Sequence, residues 1–309
     1  MLEAVAWVVA ISVGIGLLVK AGDKLSDKII EVARKAGVSP LIISIVLISF
    51  ATTFPELTTS AMASYSGALG IALGNALGSI FANIALVLGL AALIRPLKAD
   101  KEAFGNSLVM LASLGLVILL SSDGTLSRLD GLILLGSYAI YLKWLFGRQT
   151  GTSACESRGK ATVLDYLLLI VLGMVLVLGA KLVVYGGENI AKALRISDFV
   201  IGVTIVAVGT SLPEMTNALY GAIRNRGDIS IGNIIGADIM NALIVLGLAA
   251  VIHPLKTGAS ILTIAFILAV MVPMIVSLRR KGGLGRAIGV YFLAMYCLYL
   301  ILLFSGLKL

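Results

Sequence analysis

The chain has little of what soluble domains and enzymes are built from. Only 13% of its 309 residues are charged, against about 25% in ordinary soluble domains. Hydrophobic residues make up 59%, which excludes a disordered chain as well. There are two cysteines, Cys155 in a polar stretch and Cys297 in an apolar run, so no disulfide framework or cysteine metal cluster exists. The single histidine, His253, stands beside Pro254 at the end of an apolar segment. A Ser-His dyad, a His-Glu-x-x-His string and a histidine metal site are therefore all missing, and we expect no enzyme activity and no cofactor. Acidic residues number only 16, against 24 Lys plus Arg.

What is present is a series of long apolar runs. They fall at about 3–20, 41–64, 70–94, 104–121, 128–147, 163–184, 199–223, 229–252, 258–278 and 286–306. A helical span of the bilayer takes roughly 20 residues, so these predict ten transmembrane helices in an all-α membrane protein. Open sheet is excluded in lipid because unpaired backbone groups find no water there. The ten-residue alternating segments of a barrel are not visible. The first run lacks a basic n-region and is read as a retained span. Ten spans put both termini on one side. Loops after the odd-numbered spans hold about 18 of the 24 Lys and Arg, which predicts both termini extracellular in the cell membrane. The net charge of +8 then faces a membrane and not nucleic acid. The expected partner is the lipid bilayer, and the expected state a monomer.

Residues 39–98 align with 197–256 at a constant offset of 158, with about 21 of 60 positions identical. Shared Leu and Ile would mean little, but TTFPELT (52–58) matches TSLPEMT (210–216), and GNALGS (74–79) matches GNIIGA (232–237). Asn83 matches Asn241, and PLK recurs at 96–98 and 254–256. The predicted organisation is a first five-helix repeat over 1–147, a cytoplasmic linker over 148–162 and a second repeat over 163–309. An odd number of spans per repeat inverts the second copy, an arrangement common in secondary transporters, and brings the repeated motifs together near the midplane.

Thirteen of the sixteen acids fall in loops or at span ends; Glu56, its partner Glu214, and Asp238 lie inside apolar runs. A charge at a helix centre costs roughly 2.5–3.5 kcal/mol on insertion scales, which marks each as a candidate functional group. Pro55 and Pro213 remove the amides that would bond the carbonyls of Ala51 and Gly209, and the kinks loosen those of Thr52 and Thr210. Free carbonyls at membrane depth belong where they line a cavity or hold an ion. Asn83 and Asn241 offer amide oxygens. Gly70, Gly74 and Gly78, with Gly232 and Gly236, read as packing positions, and Asn75 and Asn233 as structural polar groups. The inventory is all oxygen, which suits hard cations: Ca²⁺ above all, with Na⁺ or protons as alternative loads on the same pair.

The doubled (T/S)-x-P-E and G-N-x-x-G strings resemble the two alpha-repeats of the cation/Ca²⁺ exchanger superfamily. The Pro-Glu form resembles its Na⁺/Ca²⁺ exchanger branch, prokaryotic ten-span members in particular; the proton/Ca²⁺ branch typically carries Gly-Asn-x-x-Glu instead. The resemblance implies an antiporter exchanging Na⁺ for Ca²⁺ by alternating access, with spans one and six sliding across the other eight. It implies a Ca²⁺ site from Glu56, Glu214, Thr52 and Thr210. Flanking Na⁺ sites would come from Ala51, Thr53, Ser79, Asn83, Ala207, Ser211 and Asn241, and from the carbonyl of Ser49, which aligns with Ala207. This chain departs from that pattern. Ser79 pairs with Ala237, Asn241 stands where some relatives carry Asp, and Ala51 pairs with Gly209. Asp238 pairs with the apolar Ile80. Asp238 is either a ligand, a proton site or a group facing another polar helix, and a proton-driven Ca²⁺ or other divalent antiporter stands as the alternative function.

Overall fold

The computed structural model describes residues 2–35, 48–99, 102–147 and 162–305. The first part of the expected second span (41–47), most of the expected linker and Cys155 lie outside the described residues. The fold is nearly all helical. Seven helices are long and apolar enough to cross a membrane, and eight if the bent pair Asp198–Thr210 and Leu212–Ile223 counts as one span. The other two expected spans fall on the broken stretch Ile48–Thr52 and Phe54–Ser66, and on Arg128–Gly147, which carries Arg128, Asp130 and Lys143. Neither meets the same criterion.

Burial sorts the helices into an inside and an outside. Leu69–Ile94 and Gly227–Ile252 are 78% buried, whereas Glu3–Gly22 is 22% and Arg286–Phe304 17% buried. The two central helices carry the repeated Gly-Asn strings. Their glycines explain the closeness of packing on one side. A Cβ at Gly74 would lie 2.5 Å from the carbonyl oxygen of Phe199, and one at Gly78 would lie 2.7 Å from Cα of Val203. Only hydrogen fits where two helix backbones touch. The matching Gly232 has no neighbour within 4 Å of such a Cβ, so the expected packing role holds for Gly74 and Gly78 but not for Gly232.

The outer helices Leu2–Lys35 and Val163–Leu194 pack mainly against each other. Gly14 abuts the carbonyl of Gly179, and Gly186 abuts that of Trp7. Their exposed faces are apolar, with Val5, Val9, Val13, Leu167 and Ile170 all outward, as lipid contact requires. At one end Lys28 and Asp165 form an ion pair at 2.6 Å. Asp165 also closes a capping box with Thr162 at the start of its helix.

Four two-residue strands were not expected from the sequence. Leu97–Lys98 pairs antiparallel with Gly283–Leu284, and Thr125–Leu126 with Leu255–Lys256. Shifting the first ribbon by the repeat offset of 158 turns Leu97↔Leu284 into Leu255↔Leu126, which is the second ribbon. The same operation turns the Gly131–Gly247 contact into the Gly289–Gly89 contact. Exchanging the repeats thus exchanges both ribbons and both contacts. The 18-residue helix Ala103–Leu120 separates the ribbons by about 27 Å, from its rise per residue. The ribbon at Leu97 and Leu284 is flanked by Arg95, Lys98, Arg279, Arg280, Lys281 and Arg286, and that at Thr125 and Leu255 by Arg128 and Lys256.

Candidate ion-binding site

The two Pro-Glu strings break their helices in the same way. Regular helix stops at Thr52 and restarts at Phe54; in the second repeat it stops at Thr210 and restarts at Leu212, with a bend of 49°. The interruptions are Thr53 and Ser211, and proline follows within the first turn of each new helix, where its missing N–H costs nothing. Glu56 and Glu214 also sit in those first turns. The positive end of each helix dipole favours a carboxylate there.

The broken segments cross. Ser211 of the second repeat donates its hydroxyl to Oε1 of Glu56 at 2.8 Å, and Thr53 of the first approaches Oε1 of Glu214 at 3.4 Å. Thr210 and Thr52 also lie beside the opposite glutamates. The two contacts differ in strength. A hydroxyl has one proton, and Thr53 directs its own to the carbonyl of Ser49 at 2.8 Å. Thr52 donates to that same carbonyl, whereas Thr210 lies nearer the amide oxygen of Asn75 (3.0 Å) than the carbonyl of Ala207 (3.3 Å).

Asn75 ties this crossing to the central helix. It donates to the backbone carbonyl of Glu56 at 3.2 Å and to Ser60 at 2.9 Å, and accepts from Thr210 at 3.0 Å. It therefore touches both site segments, which its sequence reading as a structural group did not foresee. Its recurrence beside Gly74 and Gly232 was the available signal. The matching Asn233 has no side-chain partner. Further along the central helices, π-helical turns begin at Asn83 and Asn241, a distortion that often marks functional positions. Asn83 donates to Oδ1 of Asp238 at 2.9 Å across the repeats.

Of the expected site residues, Glu56, Glu214, Thr52, Thr210, Thr53, Ser211, Ser79, Asn83, Ala207, Asn241 and Asp238 are all buried. The side chain of Ala51 lies outside the described residues. Among the described residues no three His, Cys, Asp or Glu side chains converge as a metal cluster, but carboxylate and neutral oxygens both lie on the repeated segments. Those oxygens are available. Glu56 Oε2, Glu214 Oε2, Asp238 Oδ2, Asn83 Oδ1, Asn241 Oδ1 and Ser79 Oγ are buried without a hydrogen-bond partner. Native interiors leave few such atoms unpaired, and six acceptors concentrated on the repeated motifs are what a hard cation needs.

Comparison with known proteins agrees with this chemistry. The family model described as sodium/calcium exchanger protein matches the chain twice, over 6–147 and 164–305. An uncharacterized membrane protein of Methanocaldococcus jannaschii is 39% identical over 273 residues, covering 86% of this chain and 87% of that one. The sodium/calcium exchanger MaX1 of Methanosarcina acetivorans is 28% identical, covering 94% and 96%. The solved sodium-calcium exchanger NCX_Mj, soaked with Na⁺ and Sr²⁺, superimposes with a TM-score of 0.70 at 34% identity, covering 99% of this chain and 100% of that one. The two matched segments of the family model coincide with the two halves that cross at Glu56 and Glu214. The chain belongs to the sodium/calcium exchanger family, whose members are transporters and not enzymes.

Proposed function

We propose that the protein is a secondary antiporter that exchanges Na⁺ for Ca²⁺ at one buried site between two inverted five-helix repeats, spanning the cell membrane ten times. The observation that carries this reading is the crossing of Ser211 onto Glu56 and Thr53 onto Glu214. Each carboxylate keeps one oxygen free for an ion while the opposite repeat sets a hydroxyl beside the other. Two glutamates balance one divalent ion, and the Thr52 and Thr210 segments add neutral oxygens. Thr53, Ser211, Ser79, Asn83, Asn241 and the backbones of Ala51 and Ala207 supply the donors for Na⁺.

The way the outer helices are held supports an alternating-access reading. Leu2–Lys35 and Val163–Leu194 form a pair packed through glycine and pinned by Lys28–Asp165. Sliding this pair along the interrupted helices would open the site to one side and then the other. The positive-inside rule assigns the ribbon face rich in Arg and Lys to the cytoplasm and both termini to the exterior. The repeats then occupy 1–147 and 163–309, joined by a cytoplasmic linker, and the protein works as a monomer.

Purified protein in vesicles tests the reading. Ca²⁺ uptake driven by a Na⁺ gradient at fixed pH supports it. Uptake that ignores Na⁺ and follows a pH gradient replaces it with proton-driven exchange on the same fold.

A further inference from the structure

Asn75 and Asn233 hold the same place in the two repeats, but only one of them is engaged. Asn75 is fully buried and reaches across the repeats, accepting from Thr210 while it donates to the Glu56 carbonyl and to Ser60. Asn233 is 8% exposed, and both ends of its amide are without a partner. The hairpins that carry them are otherwise alike. Ser60 donates to the carbonyl of Ala72 in the first, and Ser230 to that of Ala218 in the second, which is the same contact between matched positions. The central helix of each repeat also packs on the broken segment of the other, Leu69–Ala82 on Ala207–Thr210 and Gly227–Met240 on Ile48–Thr52. The asymmetry thus lies in one bond across the repeats, formed by Asn75 and left unmade by Asn233. One turn beyond the glutamates the contrast returns, with Thr59 fully buried and Asn217 half-buried.

We infer that Asn75 and Asn233 are alternate latches on the ion site, each closing it toward one side of the membrane. The inference rests on the exchanger reading and says what holds its two end states. Shifting the Asn75 contacts by the repeat offset makes Asn233 donate to the carbonyl of Glu214 and accept from Thr52. Thr52 lies on the segment against which the Asn233 helix packs, and its hydroxyl turns to Ser49 instead, at 3.2 Å. A buried amide without partners is unfavourable, and a second conformation that pairs it removes the penalty. The Asn75 bond to Thr210 is given up in exchange. Two conformations held by equivalent bonds stay close in free energy, as a site that turns over in both directions requires. The latches are not identical. Ala218 stands where Ser60 braces Asn75, so Asn233 has one anchor fewer and the conformation closed by Asn75 is the one at rest. On the proposed topology the Asn75 hairpin, 66–69, faces the exterior and the Asn233 hairpin, 224–226, the cytoplasm, so the ion-free site is closed outward.

The test uses the full chain with Cys155→Ser and Cys297→Ala, carrying Thr59→Cys or Asn217→Cys as reporter, in detergent without Na⁺ or Ca²⁺. A small cationic methanethiosulfonate should react faster at the Asn217→Cys reporter than at Thr59→Cys. Asn75→Ala should shift the ratio of the two rates toward Thr59→Cys, and Asn233→Ala should shift it away. Each shift should be about two- to tenfold, the weight of one ordinary buried hydrogen bond. If either alanine variant does not fold, Thr210→Val breaks the Asn75 bond from its other end, and Thr52→Val does the same for Asn233. A general loss of packing cannot move the ratio in opposite directions. Shifts in the same direction, or none, overturn the latches, and Na⁺-driven Ca²⁺ uptake by the unsubstituted chain then leaves the exchanger reading standing. Opposite shifts in a protein that takes up no Ca²⁺ under any Na⁺ or pH gradient overturn that reading and keep the latches as the gates of another cargo.

Discussion

Ser211 and Glu56 come from opposite repeats, 155 positions apart in the chain, and meet in a buried hydrogen bond of 2.8 Å. The repeat-related contact, Thr53 to Glu214, is longer at 3.4 Å. A sequence duplication has thus become a site in which each half completes the other, with one arm held more tightly.

Glu56→Gln and Glu214→Gln should each reduce Ca²⁺ uptake in vesicles to background. Gln keeps the shape and removes the charge that a divalent ion needs. Replacing a buried charge with a neutral isostere does not weaken a fold for lack of a counter-ion, so thermal unfolding in detergent should shift little. Wild-type flux in either variant would remove the central claim.

The unequal arms predict unequal variants. Ser211→Ala removes the sole donor that Ser211 gives Glu56 Oε1. Hydrogen bonds to charged groups contribute about 1.5–3 kcal/mol, which corresponds to a roughly tenfold or greater weakening of apparent ion affinity. Thr53→Val should weaken it less, because the Thr53 proton already goes to Ser49. Concentration dependence of exchange, measured side by side, checks the order.

Gly74→Ala places a methyl against the backbone of Phe199, where neither helix can yield without moving. Overpacking of this kind costs typically about 1–3 kcal/mol, seen as a lower unfolding temperature in detergent. Gly232→Ala, at the matching position in the second repeat, meets nothing and should leave that temperature unchanged or raised. Equal effects would contradict the asymmetric packing.

The ion pair between the outer helices gives a pH signature. The hydrogen bond that Lys28 donates to Asp165, followed by that to Glu31, raises its ammonium above the ordinary lysine value. A raised lysine contributes stability below its unfolded pKa and loses it as pH climbs through its folded one. Asp165→Asn should therefore lower the unfolding temperature at neutral pH. The difference from wild type should vanish only in strongly alkaline solution. A difference that persists unchanged there would mean that the capping box with Thr162, and not Lys28, is what Asp165 supports.

Orientation has its own test. Cys297 is exposed on the helix Arg286–Phe304, and Cys155 falls in the predicted cytoplasmic linker. A membrane-impermeant thiol reagent should leave Cys155 unlabelled in intact cells and label it after permeabilisation. Strong labelling in intact cells would reverse the topology.

Much of this was legible in the residues. Long apolar runs set a helical membrane protein because a bilayer leaves backbone groups no other partner. The duplicated Pro-Glu and Gly-Asn strings fixed the offset, the interruptions near Thr53 and Ser211, and the two glutamates as a pair, since insertion cost makes a doubled buried acid hard to explain otherwise. Distances across the repeats were not legible. Offset arithmetic treats the halves as equivalent, so it could not show that Ser211 binds its glutamate while Thr53 turns to Ser49, or that Gly74 touches a backbone while Gly232 touches nothing. Nor could it show that Asn75 braces both site segments. The strand ribbons were hidden because two-residue strands have no periodicity to read. Above all, Asp238 was an acid without a partner in the sequence. Only the packing of the two central helices set it against Asn83 and within range of Glu56, because that meeting depends on side chains from both repeats entering one volume.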